Sequence, residues 1–198
     1  VGTPIAWWLS QTKARFKFLI ETLVALPIVL PPTVLGFYLL IFLGPQGSVG
    51  KLVSYLGGPS LIFSFSGLVL GSIVYSMPFV IQPLQHAFSV IDKRADETAA
   101  TNGFSRLRRF FYLFLPLSRT GYLSAFVLGF AHTLGEFGIV LMIGGNIPGE
   151  TQVASISIYN YVEMLEYNKA HTLSLLLLII SFTLLAIIYS LRIRFGRY

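Results

Sequence analysis

Residues 95–122 read ADETAATNGFSRLRRFFYLFLPLSRTGY, and they sit between two segments apolar enough for a lipid interior. Two acids, five Ser or Thr residues, an Asn-Gly pair and four arginines are gathered here in an otherwise oily chain. Ala95, Thr98, Ala99 and Thr101 predict a short helix with a small-sided face, which lets another backbone approach closely. Asn102-Gly103 stops it, because glycine readily takes the left-handed conformation of a helix end. Ser105 is placed to cap a second helix. In that helix Phe104, Leu107, Phe110, Phe111 and Phe114 recur at helical spacing, and Arg106, Arg108 and Arg109 cover the rest. Leu115-Pro116 is expected to end it. The second helix alone would suit a lipid headgroup layer. The first, with Asp96, Glu97 and small side chains, would not. The pair reads as a docking knob for a partner outside the bilayer.

The surrounding chain supports that setting. Of its 198 residues, 55% are hydrophobic and only 11% charged, and the mean hydropathy is +0.75. Soluble domains carry about 25% charged residues, so the composition predicts an integral membrane protein, and the continuous apolarity of its spans makes the expected fold class all-α. There are no cysteines, which excludes disulfides, iron–sulfur clusters and thiolate metal sites. The net charge is +6, but no soluble basic domain holds it, so nucleic-acid binding is not expected.

A spanning helix needs about 20 mostly apolar residues. Leu19–Leu43, Leu61–Leu84, Gly121–Ile143 and Thr172–Leu191 qualify. Their continuous apolarity argues against a β-barrel. Val1–Leu9 reads as the last turns of a further helix, with Trp7 and Trp8 at the lipid–water boundary. A truncated first span explains this start better than a signal peptide, whose cleavage site is not followed by a Trp-Trp anchor and a basic loop. The expected fold is a polytopic helical bundle of about four complete spans plus the end of a first one, forming a single membrane domain over residues 1–198.

Charge then orients the loops. Residues 10–18, 92–120 and 192–198 hold twelve of the 14 Lys and Arg residues; Lys51 and Lys169 are the other two. By the positive-inside rule the first set faces the cytoplasm. Residues 44–60 and 144–171, the latter with Glu150, Glu163 and Glu166, face outward.

Three segments bear on what passes through. LPIVLPPTVLGFYLL (26–40) places Pro27, Pro31 and Pro32 in one span, where each removes a backbone donor. Such a span is either a kinked structural helix or one that lines a path. In LGEFG (134–138), Glu136 lies deep in a span, where a charge costs several kcal/mol unless paired or protonated (about 3 or more). His132, four residues earlier, is expected on the same helical face. Two such ligands make a weak metal site, so a structural Glu136 bonded to neighbouring helices is favoured and no metal is expected. Gly135 and Gly138 permit close helix approach. GGNIPGETQ (144–152) carries the turn formers Asn146, Pro148 and Gly149, which shape an outer mouth or merely connect helices.

ETAATNGFSRLRRFFYLFLP (97–116) resembles the EAA loop of ABC-importer permeases, which runs Glu-Ala-Ala, three residues, Gly, nine residues, Ile-x-Leu-Pro. Glu97, Ala99, Gly103 and Leu115-Pro116 match, while Thr98 and Leu113 are conservative departures. LPIVLPP with its following glycine-aromatic pair, GEFG and NIPGET are similar to the molybdate and tungstate branch of that family, along essentially the whole chain. Sulfate permeases share the EAA loop and a GEFG-like element. The resemblance implies a type I importer permease fold and transport of a tetrahedral oxyanion. The partners it implies are a second copy of the chain, two ATPase subunits, an extracytoplasmic binding protein and membrane lipid. ATP and magnesium would be used by the ATPase; the chain has no phosphate-binding GxxxxGK[ST] loop and no expected cofactor or catalytic residue. The coupling surface implied is Glu97, Thr98, Ala99, Gly103, Phe104, Ser105, Arg106, Leu107, Leu115 and Pro116. The path or gate implied involves Pro31, Pro32, Thr33, Gly135, Glu136, Phe137, Gly138, Asn146, Pro148 and Gly149. Competing classes are an intramembrane enzyme using His132 and Glu136, which lacks further converging polar residues, and an ion-gradient transporter. The latter asks for matched broken helices in two repeats, whereas the prolines are read as clustering in only one span.

Overall fold

The computed structural model describes residues 1–195, with side chains through residue 190. Arg192, Arg194 and Arg197, expected on the cytoplasmic side, have side chains outside the described residues. The described chain is helical with no strand. In order it forms α1 (Gly2–Gln11), α2 (Lys17–Val29), α3 (Pro32–Leu43), α4 (Ser48–Tyr55) and α5 (Phe65–Ser89). Then come α6 (Lys93–Thr101), α7 (Arg106–Arg109), a π-helical turn over Phe110–Phe114 and α8 (Leu115–Leu117). The remainder is α9 (Arg119–Leu134), α10 (Gly138–Gly144), α11 (Ala154–Glu163) and α12 (Tyr167–Phe195).

Pro32–Tyr55, Phe65–Ser89 and Tyr167–Ser190 are long and apolar enough to cross a bilayer, and Arg106–Leu117 with Arg119–Leu134, bent by 74°, supplies a fourth candidate. This agrees with a polytopic helical bundle of about four spans, although the first candidate extends through residues 44–55, expected as part of an outward loop, because α4 continues the apolar helix α3. Two expected spans are nevertheless broken. Leu19–Leu43 divides at Leu30-Pro31, because a residue before proline is pushed out of the helical region; Pro31 itself is extended (φ −54°, ψ 136°) and Pro32 starts α3. Gly121–Ile143 divides at Gly135–Phe137, with no proline involved. Pro78 and Pro83 also lie inside α5, so prolines are not confined to one span as the case against a gradient-driven transporter supposed.

Two compact units divide the chain, and α2, α5, α9 and α12 contribute to both. The first comprises Val1–Val24, Met77–Phe130 and the stretch from Leu185. Its core buries Ala6, Leu9, Ile81, Leu84, Phe88 and Phe114. An alanine at Gly121 would drive its Cβ into that of Ala87, so the missing side chain is what lets α9 lie against α5. Glu21, the one charge near the start of its expected span, accepts from Gln85 Nε2 at 2.6 Å and lies 3.6 Å from Lys17. Trp7, expected at a lipid–water boundary, also has partners within its own unit. Its ring packs on Phe110 (5.0 Å) and Phe114 (6.0 Å); Trp8 is 41% exposed.

The second unit comprises Ala25–Ser76 and Ala131–Leu184. Leu68, Val140 and Ile156 form its core, with Phe137, Leu141 and Val153 packed around them. In this unit α3 packs on α10 where Gly36 faces Met142: a Cβ at Gly36 would come within 2.9 Å of Met142 Cβ.

Candidate functional site

The knuckle between α5 and α9 is built as local chemistry dictates. Asp92 caps α6, its carboxylate accepting from Arg94 N at 2.9 Å. The stop is a Schellman motif: Phe104 N donates to Ala99 O (3.0 Å) and Gly103 N to Ala100 O (3.0 Å). Gly103 has φ +81°, a conformation costing roughly 1–2 kcal/mol with a side chain. Ser105 Oγ accepts from Arg108 N at 3.3 Å, so the expected cap is present.

The element does not end at Leu115-Pro116. It runs on to Leu117, and Ser118 precedes α9. A proline in a regular helix clashes with the carbonyl four residues earlier; here the π-helical turn, closed by Leu115 N on Phe110 O, widens the preceding backbone. An extra residue per turn also shifts the register. Of the expected apolar stripe, Phe110 and Phe114 pack inward, while Leu107 is 68% and Phe111 58% exposed. Arg109 likewise turns inward, its Nη1 2.7 Å from Asp96 Oδ1, with both side chains about four-fifths buried (18% and 22% exposed). That pair fastens α7 to α6. Arg108 stacks on the Phe104 ring at 4.5 Å. Glu97, Thr98, Gly103, Ser105, Arg106 and Leu107 face outward, whereas Ala99, Phe104, Leu115 and Pro116 are half-buried. The knuckle therefore presents a pinned, mixed polar and apolar surface.

In the second unit the broken helix organises the other candidates. Glu136 is 4% exposed. Ser72 Oγ of α5 donates to its Oε2 at 2.9 Å, and Ser155 Oγ of α11 donates to its backbone carbonyl at 2.7 Å. Its Oε1 is buried with no hydrogen-bond partner among the described residues. His132 does not share a helical face with Glu136, because α9 ends at Leu134. Instead His132 Nδ1 lies 3.1 Å from Ser76 Oγ, which also meets Thr133 Oγ1 at 2.9 Å. Both groups thus reach serines one turn apart on α5. We expect Glu136→Gln to leave assembly and the detergent-phase melting midpoint nearly unchanged, because the amide oxygen still accepts from Ser72. Glu136→Leu strands that hydroxyl and is expected to cost about 1–3 kcal/mol, read as a lowered midpoint.

Pro32 meets Gly138, where an added Cβ would lie 2.9 Å from Pro32 Cβ. Phe137 packs on Tyr159 at 5.1 Å. Tyr159 donates to Glu163 at 2.6 Å, and that bond raises the phenol's pKa above its ordinary value. Asn146, at φ +56°, accepts from Gln152 Nε2 (3.1 Å) and Asn160 Nδ2 (3.4 Å). Pro31, Thr33, Gly135, Pro148 and Gly149 are exposed and are not tied into this network. Sequence reasoning missed Thr151, 1% exposed, whose Oγ1 donates to Gly144 O (2.6 Å) and accepts from Ile147 N (3.0 Å). It also missed Ser72, Ser76 and Ser155. The four-residue spacing of two serines in an apolar span was the available signal.

The described fold is that of a multi-pass helical membrane protein with up to four spans. A family model described as the binding-protein-dependent transport system inner membrane component matches residues 2–195, and the chain belongs to that family. It is 52% identical to the molybdenum transport system permease protein ModB of Azotobacter vinelandii, over 97% of this chain and 85% of that protein. Identity to ModB of Haemophilus influenzae is 40%, over 80% and 69%. A probable sulfate transport system permease protein cysT of Chlorella vulgaris is 35% identical, over 94% and 70%. The fold matches a bacterial alginate ABC transporter crystallised with its alginate-bound periplasmic protein, at a TM-score of 0.77 and 18% identity, covering 99% of this chain and 72% of that one.

Proposed function

We propose that this chain is the membrane permease of an ATP-driven importer of molybdate or the closely similar tungstate. The 52% identity to a molybdenum permease over nearly the full chain carries the reading. The 35% identity to Escherichia coli ModB would not carry it alone, since a sulfate permease reaches the same figure. In this reading two copies of the chain form the pathway, two ATPase subunits drive it, and an extracytoplasmic protein delivers the oxyanion. The knuckle faces the cytoplasm, in keeping with the bias of twelve basic residues in 14. Its outward surface of Glu97, Thr98, Gly103, Ser105, Arg106 and Leu107 seats on the ATPase. The Asp96–Arg109 pair makes its two helices move as one body. The Glu136 break, Pro32–Gly138 and the Asn146 turn form the path and its outer gate. A buried carboxylate there is held by Ser72 rather than offered to an anionic cargo.

The test is radiolabelled molybdate uptake by proteoliposomes holding permease, ATPase and binding protein. Uptake should require internal ATP, stop with vanadate and resist excess sulfate. Uptake that persists without ATP under an ion gradient would overturn the class; equal competition by sulfate would reassign the cargo.

A further inference from the structure

Where the π-helical turn and α8 meet α9 at their 74° bend, the first unit has an open cleft of about 420 Å³ lined by Phe111, Leu115, Pro116, Arg119 and Tyr122. Its chemistry is divided. Phe111, Leu115 and Pro116 offer an apolar wall on one arm of the elbow, and Arg119 and Tyr122 offer polar groups on the other. Arg119 is exposed and has no acidic partner among the described residues. Tyr122 Oη is buried with no hydrogen-bond partner among them, although its ring is fixed edge-on to Phe88 at 6.1 Å. A buried hydroxyl ordinarily finds a partner, so this one identifies a place where an acceptor is wanted.

The position selects the acceptor. Arg119 stands where the polar knuckle gives way to the apolar α9, which is the depth of lipid headgroups in any chain that spans a bilayer. Leu117 (60% exposed) and Phe111 (58%) lie open beside it. We propose that this elbow binds the phosphate of an anionic phospholipid, with Arg119 and the Tyr122 hydroxyl on its oxygens and the acyl chains along Phe111 and Leu115. The volume is many times the roughly 30 Å³ share of one water molecule, enough for a glycerophosphate head. Basic pockets among spanning helices are suited to such heads, because the cation and the anionic lipid neutralise each other at low dielectric. Occupancy would brace the bend through which the knuckle joins α9. The inference needs only a membrane-spanning chain and is independent of the cargo.

The assembled transporter, purified in detergent, would be exposed to equal concentrations of phosphatidylglycerol and phosphatidylcholine and analysed by native mass spectrometry. The wild type should retain phosphatidylglycerol preferentially. Arg119→Gln should lower that preference about fivefold. Tyr122→Phe, which keeps the ring packing, should lower it about twofold. Lys51→Gln, in the other unit, should leave it unchanged. Retained preference in both elbow variants, or an equal loss in Lys51→Gln, would overturn the site in favour of diffuse charge or another occupant. Displacement of the lipid by inorganic phosphate at the same concentration would overturn it in favour of a small-anion site.

Discussion

Gly103→Val is expected to reduce ATP-driven uptake by roughly tenfold while leaving the membrane helices folded. Gly103 has φ +81°, and a Cβ added there would meet nothing within 4 Å. The effect is therefore conformational and not steric crowding. A β-branched residue is a poor occupant of the left-handed region, and the penalty of roughly 1–2 kcal/mol lowers the population of the native turn by about tenfold. The loss falls on the Schellman stop, and α7 no longer leaves α6 in the direction that lets Arg109 reach Asp96. Reduced copurification of the ATPase, or ATP hydrolysis without uptake, would be the direct readout. Gly103→Asn tests the cause, because asparagine tolerates this conformation and should recover much of the activity. Uptake at the wild-type rate in the valine variant would remove the knuckle from the coupling role.

Gly138→Val is expected to destabilise the second unit by about 1–3 kcal/mol, the range for overpacking a close contact. Its Cβ would lie 2.9 Å from Pro32 Cβ and 3.1 Å from Cγ. A proline ring cannot rotate away, and Pro32 opens α3, so the strain has to move α3 from α10. The melting midpoint in detergent should fall, and uptake with it if these helices form the gate. Gly135→Ala is the control for stability, since its Cβ would meet Ala131 O at 3.8 Å and His132 O at 4.0 Å, both ordinary van der Waals distances. An unchanged midpoint in Gly138→Val would mean that the helices separate freely there, and the Pro32–Gly138 contact would lose its place in the gate.

The contrast between these two glycines shows what kind of information the chain carries openly. Gly103 was legible because a helix stop is local: Asn-Gly after a small-sided helix and Ser before an arginine-rich one specify the turn with no distant partner. The spans were legible for a similar reason, since transfer of an apolar segment into lipid is nearly additive along the sequence. Gly138 could be read only as permitting some close approach. That its neighbour is Pro32, more than a hundred residues away in sequence, is a property of the packed unit.

The membrane class, the approximate spans and the knuckle with its Gly103 stop and Ser105 cap were thus determined by the sequence alone, because each rests on composition or on bonds within a few residues. Tertiary structure decided that Gly121–Ile143 breaks at Gly135–Phe137, that Glu136 and His132 turn to Ser72 and Ser76, and that Trp7 packs on Phe110 and Phe114. The physical reason is that a backbone break or buried polar group in lipid is tolerable only where another segment supplies its hydrogen bonds. Hydropathy along one chain records how oily a residue's neighbours in sequence are, and says nothing of which hydroxyl or ring will meet it across the fold.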